Sequence, residues 1–412
     1  MPGGMRRGVS RMHWYHRDCD VARAHHGDNG ALPLKDAVLI SSAAARAIRR
    51  GHPWIFGEPV GNRPVGHLVA LRDRDGVAGW GLVDRGEITV RILGRGEPGD
   101  VDLAALLRQR IHDADSARWR LIGGDTTCWR VVNGEGDGLP GVIVDRYGDV
   151  AVLRIYSRSW TPHLKHLVKG ISRLPWVNSI VQRFGVRRVD DRTDWELLHG
   201  PAVPDTMVVN EHGMKLLVRP LVGQKTGLFL DQREHRRQIR DLAAGRTVAN
   251  LFAYTGGFSV AAALGGAAHT TTVDMAADAI DDARETFRLN DLNPSEHEFI
   301  VADVFKWQPQ RTVDLLIVDP PSLTRGARSD KNATRAYTRL HRDLAPFVPK
   351  HGLLATASCT ARLSLADWRQ AVTEGLVGDW SWHSMSTHAA DHPVASGHPE
   401  GWYLKFGVLR RR

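Results

Sequence analysis

Apolar and polar positions follow three different rhythms along the chain. From residue 34 to about residue 118, short apolar runs are broken by Asp/Gly turns. Ala37 to Ile40 leads into an Ala/Arg-rich helix through Arg50. Val65 to Ile92 divides into strands at Asp73-Arg74-Asp75-Gly76 and at Asp84-Arg85-Gly86-Glu87, because Asp and Gly punctuate extended runs. A helix is expected from Leu103 to about Ala117. The second rhythm, residues 119–218, predicts a small α+β unit in the order strand, strand, helix, strand, strand. Its strands run near Trp129–Val132, Val142–Asp145, Val150–Tyr156, Ser179–Phe184 and Met214–Val218, with a helix near Pro162–Ser172. The third rhythm, residues 219–412, alternates apolar strands with amphipathic helices. Buried strands are expected at Val248–Phe252, Thr270–Asp274, Glu298–Val301, Leu315–Asp319 and Gly352–Ser358. That alternation predicts an α/β, Rossmann-like, doubly wound parallel sheet behind a β-rich module and a small α+β module.

Residues 1–33 have no periodicity and are rich in Arg, His, Gly and Asp. They read as a disordered extension or as sequence upstream of a later start. They carry no apolar signal-peptide core. No apolar run is long enough to span a bilayer, so no membrane partner is expected.

Composition narrows the function classes. With 42% hydrophobic and 25% charged residues the chain is ordinary globular material. The three cysteines, Cys19, Cys128 and Cys359, form neither a disulfide framework nor a zinc spacing. They fit a reducing cytoplasm and no bound metal. The net charge of +9 suits a polyanionic partner such as RNA.

In a doubly wound sheet, ligands bind beyond the carboxyl ends of the strands. The strand Val248–Phe252 ends in Ala253-Tyr254-Thr255-Gly256-Gly257-Phe258, where glycines such as Gly256 let the backbone pass close to a ligand. The next strand ends in Asp274, placed to accept from two ribose hydroxyls. A nicotinamide dinucleotide and S-adenosylmethionine both fit that pattern. The loop has no G-x-G-x-x-G, which weakens the pyrophosphate reading; a methionine-bearing cofactor needs no phosphate cradle. Asp303, after the following strand, could accept from an adenine amino group or cap the next turn. Asn290 reads as a helix-end residue.

The strand 314–318 ends in Asp319-Pro320-Pro321-Ser322-Leu323. Two prolines hold the backbone rigid, so Asp319 is presented at the strand tip, where a carboxyl can hold a planar base by its Watson–Crick edge. One strand later comes Ser358-Cys359-Thr360. Cys359 alone reads as a small buried hydrophobe; beside Asp319 it reads as a nucleophile. Carbon 5 of a pyrimidine is a poor nucleophile until a thiolate adds at carbon 6. A ring or exocyclic nitrogen would attack a methyl donor directly and need no thiol, so Cys359 discriminates between the two chemistries.

Several motifs recur in one order. They are His52-Pro53-Trp54-Ile55-Phe56, Gly134-Glu135-Gly136-Asp137-Gly138-Leu139-Pro140-Gly141, Glu211-His212-Gly213-Met214-Lys215 and 225–233 (Lys225-Thr226-Gly227-Leu228-Phe229-Leu230-Asp231-Gln232-Arg233). The loop 254–258, Asp319-Pro320-Pro321, Ser358-Cys359, Asp391-His392-Pro393-Val394 and Pro399-Glu400-Gly401 follow. In these the chain resembles the RlmI family of large-subunit ribosomal RNA cytosine-5 methyltransferases, from about Leu34 to the C-terminus. The resemblance implies a PUA domain over 34–118, a central domain over 119–218 and an S-adenosylmethionine-dependent methyltransferase domain over 219–412. It implies that Cys359 is the nucleophile and Asp319 holds the base, and that Phe229, Gln232, Phe252, Tyr254, Asp274 and Asp303 line the cofactor pocket. It implies large-subunit ribosomal RNA as partner, and a homodimer among the assemblies to expect. One departure stands out: Ser322-Leu323 follows Asp-Pro-Pro where the family commonly has Lys-Phe. Two other readings are nitrogen methylation of a purine with Cys359 merely packing, and an RNA-binding or ribosome-assembly protein without catalysis.

Overall fold

The computed structural model describes residues 36–122, 124–186, 189–323 and 330–412. The expected extension at 1–33, and Cys19 with it, lie outside the described residues. Among the described residues no helix is long and apolar enough to cross a membrane. No cluster of His, Cys, Asp and Glu among them could hold a metal ion.

The first five strands form one sheet. They are β1 (Ala37–Leu39), β2 (Trp54–Phe56), β3 (Leu68–Asp73), β4 (Gly76–Val83) and β5 (Ile88–Arg95), in the order β1-β3-β4-β5-β2. Helix α1 (Ser42–Arg49) starts where the Ser41 hydroxyl accepts from the Ala44 amide, and it buries Ala45 and Ile48 on the sheet. Helix α2 (Leu103–Leu121) is one turn longer than expected and is capped by Asp102.

A second five-stranded sheet follows, built from β6 (Cys128–Asn133), β7 (Val142–Tyr147), β8 (Val150–Ile155), β9 (Ser179–Arg183) and β10 (Trp195–His199), with α3 (Leu164–Ile171) between β8 and β9. Three strands precede the helix, and the closing strand is β10, not Met214–Val218. The sequence reading missed β10 because its residues are mostly exposed and show no buried face. Met214–Val218 is instead β12, paired with β11 (Met207–Glu211) in a separate hairpin. Met214, Leu216 and Val218 alternate inward, and they pack in one cluster with Val152 and Val181 of the second sheet and Val260 and Phe287 of later helices. The hairpin thereby buries apolar side chains against both neighbours at once.

The remaining elements are α4 (Arg233–Leu242), β13 (Thr247–Leu251), α5 (Gly257–Leu264), β14 (His269–Asp274), α6 (Ala277–Leu289), β15 (Glu298–Val301), β16 (Leu315–Val318), α7 (Asp330–Leu344), β17 (Leu353–Ser358), α8 (Leu365–Gly375), β18 (Trp380–Ser386) and β19 (Lys405–Arg411). The sheet order is β15-β14-β13-β16-β17-β19-β18, parallel except for β19. The expected α/β sheet is present, with two strands more. β15 was expected to be buried; it is the sheet edge and is half exposed, because only β14 covers it. Asn290 ends α6 and ties it to β12, accepting from the Lys215 amide and donating to the Lys215 carbonyl.

The motifs far apart in sequence meet at the junction of the three sheets. The Trp54 indole donates to Glu135 at 2.8 Å and lies 4.4 Å from the His398 ring. Arg118 forks onto Asp137 and also donates to the Asp391 carbonyl. Asn133 donates to the Pro393 carbonyl. Gly136 passes so close to Pro393 that a Cβ there would sit 1.9 Å from its carbonyl oxygen.

Candidate active site

The chain leaves β13 for β14 on one side and returns to β16 on the other, so the crevice opens beyond the ends of β13 and β16. Leu251 pairs with Val318, which brings Phe252 and Asp319 out of the sheet side by side. The turn after β13 is tightly wound: Phe252, Tyr254 and Gly256 all have positive φ. For Phe252 and Tyr254 that is a strained backbone, of the kind found where a ligand or a fixed turn demands it.

Asp274 holds that turn. One carboxylate oxygen accepts from the Tyr254 amide at 2.8 Å and the other from Ala276 at 3.0 Å. Each oxygen keeps a lone pair for another donor. The Phe229 and Tyr254 rings meet edge to face at 5.5 Å, and the Tyr254 hydroxyl donates to the Gly227 carbonyl. Phe252 packs on Phe305, and Asp303 accepts from the Phe305 amide, so Asp303 does shape a turn, the alternative role weighed for it. Gly256 has a packing reason: a Cβ would lie 2.8 Å from that of Ala283 on α6. The expected backbone-to-ligand approach is therefore matched by a backbone-to-helix approach.

These groups fit S-adenosylmethionine better than a dinucleotide. The donor set is acceptors and rings: carboxylates at the ends of β14, β15 and β16, with Phe229, Phe252 and Tyr254 between. Nothing in the turn 253–256 carries a positive charge to meet a pyrophosphate.

Asp319 and Cys359 end neighbouring strands, β16 and β17. Burial pushes the Asp319 carboxyl up to about 7, the nearby Asp231 carboxylate adds to it, and Lys225 and Gln232 oppose it. Burial also raises the Cys359 thiol, as do Asp319 and Asp231, while Lys225 lowers it. Asp231 is sealed in and held far below the ordinary carboxylate range: burial alone would raise it, but Lys225 at 2.5 Å outweighs that, and Tyr403 donates at 2.7 Å. Ser322 and Thr360 hydroxyls meet at 3.3 Å, joining the Asp319 loop to the Cys359 loop. Leu323 turns inward against the sheet core. The Ser-Leu pair thus serves packing and loop closure.

The structure joins Phe229, Tyr254 and Asp274 in one set of contacts, Gln232 to Asp319 in another with Cys359 on the next strand, and Phe252 to Phe305 beside Asp303. Sequence reasoning missed Lys225, Asp231, Tyr403 and Lys405. The first two sit inside the motif 225–233, which was the available signal. The other two arrive on β19 and the segment before it, which the periodicity did not reveal.

Comparison with known proteins gives the family and the fold. Residues 164–364 match the model of S-adenosylmethionine-dependent methyltransferases, and residues 38–95 match a PUA-like domain. The chain is 35% identical to the ribosomal RNA large subunit methyltransferase of Deinococcus radiodurans over 90% of this chain and 96% of that one. It is 32% identical to ribosomal RNA large subunit methyltransferase I of Cronobacter sakazakii, over 89% and 97%. A structure described as a SAM-dependent methyltransferase of Streptococcus mutans superposes with a TM-score of 0.80 at 24% identity, covering 91% of this chain and all of that one. A second structure, described as a methyltransferase complexed with SAH, superposes with a TM-score of 0.81 at 24% identity, covering 91% of this chain and all of that one. The expected cofactor, S-adenosylmethionine, and the expected PUA-like and methyltransferase parts are borne out. Because the identity runs through all three sheets and not the cofactor crevice alone, the chain belongs to the ribosomal RNA large subunit methyltransferase I family.

Proposed function

We propose that this protein methylates carbon 5 of a cytosine in large-subunit ribosomal RNA. The observation that carries the reading is Cys359 at the end of β17 beside a carboxyl, Asp319, that titrates near neutrality at the end of β16. The relatives named for large-subunit RNA support the substrate, and the net charge of +9 suits it. Its working place is then the cytoplasm.

Bound S-adenosylmethionine supplies an electrophilic methyl group; Asp274, Phe229, Tyr254 and Phe252 would hold it, with Asp303 at the rim. Cys359, as thiolate, adds to carbon 6 of the flipped ring. Protonated Asp319 donates to N3 and stabilises the ring electrons that gather during addition. Carbon 5 becomes nucleophilic and is methylated. Its proton then leaves to solvent, the carbon–sulfur electrons return to Cys359, and N3 returns its proton to Asp319.

Cys359→Ala tests the reading. With the protein folded, methylation of ribosomal RNA should fall by at least about a thousandfold, with cofactor binding by calorimetry unchanged. Persistent 5-methylcytosine in nucleoside mass spectrometry would overturn the mechanism. A methylated purine from the same protein would instead establish nitrogen chemistry.

A further inference from the structure

Lys405 carries its amine with little access to water: the residue is 2% exposed. It stands on β19 directly opposite Ser358, one residue before the proposed nucleophile. Its Nζ donates to the Thr360 carbonyl at 2.7 Å and to the Tyr403 carbonyl at 3.1 Å. No carboxylate pairs with it among the described residues. A buried cation without a counter-ion is costly, and the two carbonyls compensate only part of that cost. The charged partner that acts on it is a Cys359 thiolate, which lies between Ser358, opposite Lys405, and Thr360, whose carbonyl Lys405 meets.

We propose that Lys405 takes the proton of Cys359 and holds the thiolate, acting as the positioning and proton-holding residue of the methyl transfer. The inference rests on the reading of Cys359 as nucleophile. The proton moves from Sγ to Nζ, the sulfur lone pair forms the bond to carbon 6, and on elimination that pair returns to sulfur beside the ammonium. No oxidant or further reactant enters.

The surroundings explain why the thiol needs such a partner. Burial and the Asp319 and Asp231 carboxylates all oppose ionisation of Cys359, while Lys225 and a backbone hydrogen bond favour the thiolate. Burial lowers Lys405 to about 8, while a Cys359 thiolate raises it. Thiol and amine are therefore driven toward each other, and they titrate as a pair. His388 faces Lys405 from the segment after β18 and is itself held neutral by burial. The buried Tyr337 hydroxyl on α7 and that of Tyr403 stay protonated. Neither can replace the amine as acceptor.

The test needs no RNA. Full-length protein is alkylated with iodoacetamide across a pH series, and the Cys359 peptide is followed by mass spectrometry. Buried Cys128 reports folding, since it reacts only when the chain opens. Lys405→Met should move the Cys359 midpoint up by about one unit from that of the wild type, slowing the reaction near neutral pH about tenfold. Lys405→Arg, a permanent cation, should keep the midpoint low. An unshifted midpoint in folded Lys405→Met overturns the proposal. Should that variant expose Cys128, Lys405→Arg decides: a midpoint that rises although the cation is kept also overturns it. Activity of Cys359→Ala decides the methylation reading separately, because alkylation reads the thiol whatever the substrate.

Discussion

The side-chain amide of Gln232 donates to one oxygen of Asp319 at 3.0 Å while its carbonyl meets the His235 ring nitrogen at 2.5 Å. His235 is stacked on Phe406 of β19 at 4.1 Å, and burial holds it neutral. With its carbonyl committed to His235, Gln232 can offer Asp319 only a donor. The other Asp319 oxygen is left to carry the proton that a base needs at N3.

That arrangement sets a pH profile. The working state pairs a protonated Asp319 with an ionised Cys359, and the carboxyl titrates below the thiol. The rate kcat/KM should therefore rise with pH, level off near about 7 as Asp319 begins to ionise, and fall again above the value of the thiol. Gln232→Leu removes a donor that favours the carboxylate, so Asp319 moves up and the rise should continue to higher pH. Rate measurements with an RNA fragment from mildly acidic to alkaline buffer check this; an unmoved acid limb would count against it.

Asp274 should be separable from the chemistry. Asp274→Asn keeps one acceptor for the Tyr254 or Ala276 amide but loses the charge that favours donors. Cofactor affinity should drop by about tenfold, roughly the 1.4 kcal/mol of one charge-assisted hydrogen bond. Calorimetry with S-adenosylhomocysteine reads it, and the far-ultraviolet spectrum should not change.

Gly256 has φ of +72° and no room on the side of Ala283. Gly256→Ala should destabilise by about 2–3 kcal/mol, adding left-handed strain to overpacking. The urea midpoint measures the loss. A shift below about 0.5 kcal/mol would show that α6 yields easily at this contact.

The buried fork of Arg233 on Asp391, at 2.8 and 2.9 Å, should govern acid stability. Burial alone would raise Asp391, yet His392 and Arg233 hold it far below the usual range. A depressed carboxyl stabilises above its unfolded value and loses that contribution as pH falls below about 4. Asp391→Asn should cost about 3–5 kcal/mol at neutral pH and flatten the acid side of the stability curve. Denaturant titrations of both proteins at neutral and acid pH provide the comparison.

Local pattern was enough for much of this protein. The 248–358 alternation marks a parallel sheet because such strands are buried on both faces, and strand-end Asp274 and Asp319 follow from where that sheet binds ligands. Asp-Pro-Pro is legible because proline restricts its own backbone and that of its neighbour. Tertiary structure decided what depends on partners far away in the chain. Strand β10 shows no buried face, and β18 and β19 pair across a long excursion, so neither has a period that single-sequence reading can use. The hairpin of Met214–Val218 found its place by burying apolar area on two neighbours at once. Lys405 reads in sequence as one more surface cation. Only the pairing of β19 with β17 places it opposite Ser358 and against the Thr360 carbonyl, where removal from water and two backbone carbonyls change what an amine can do.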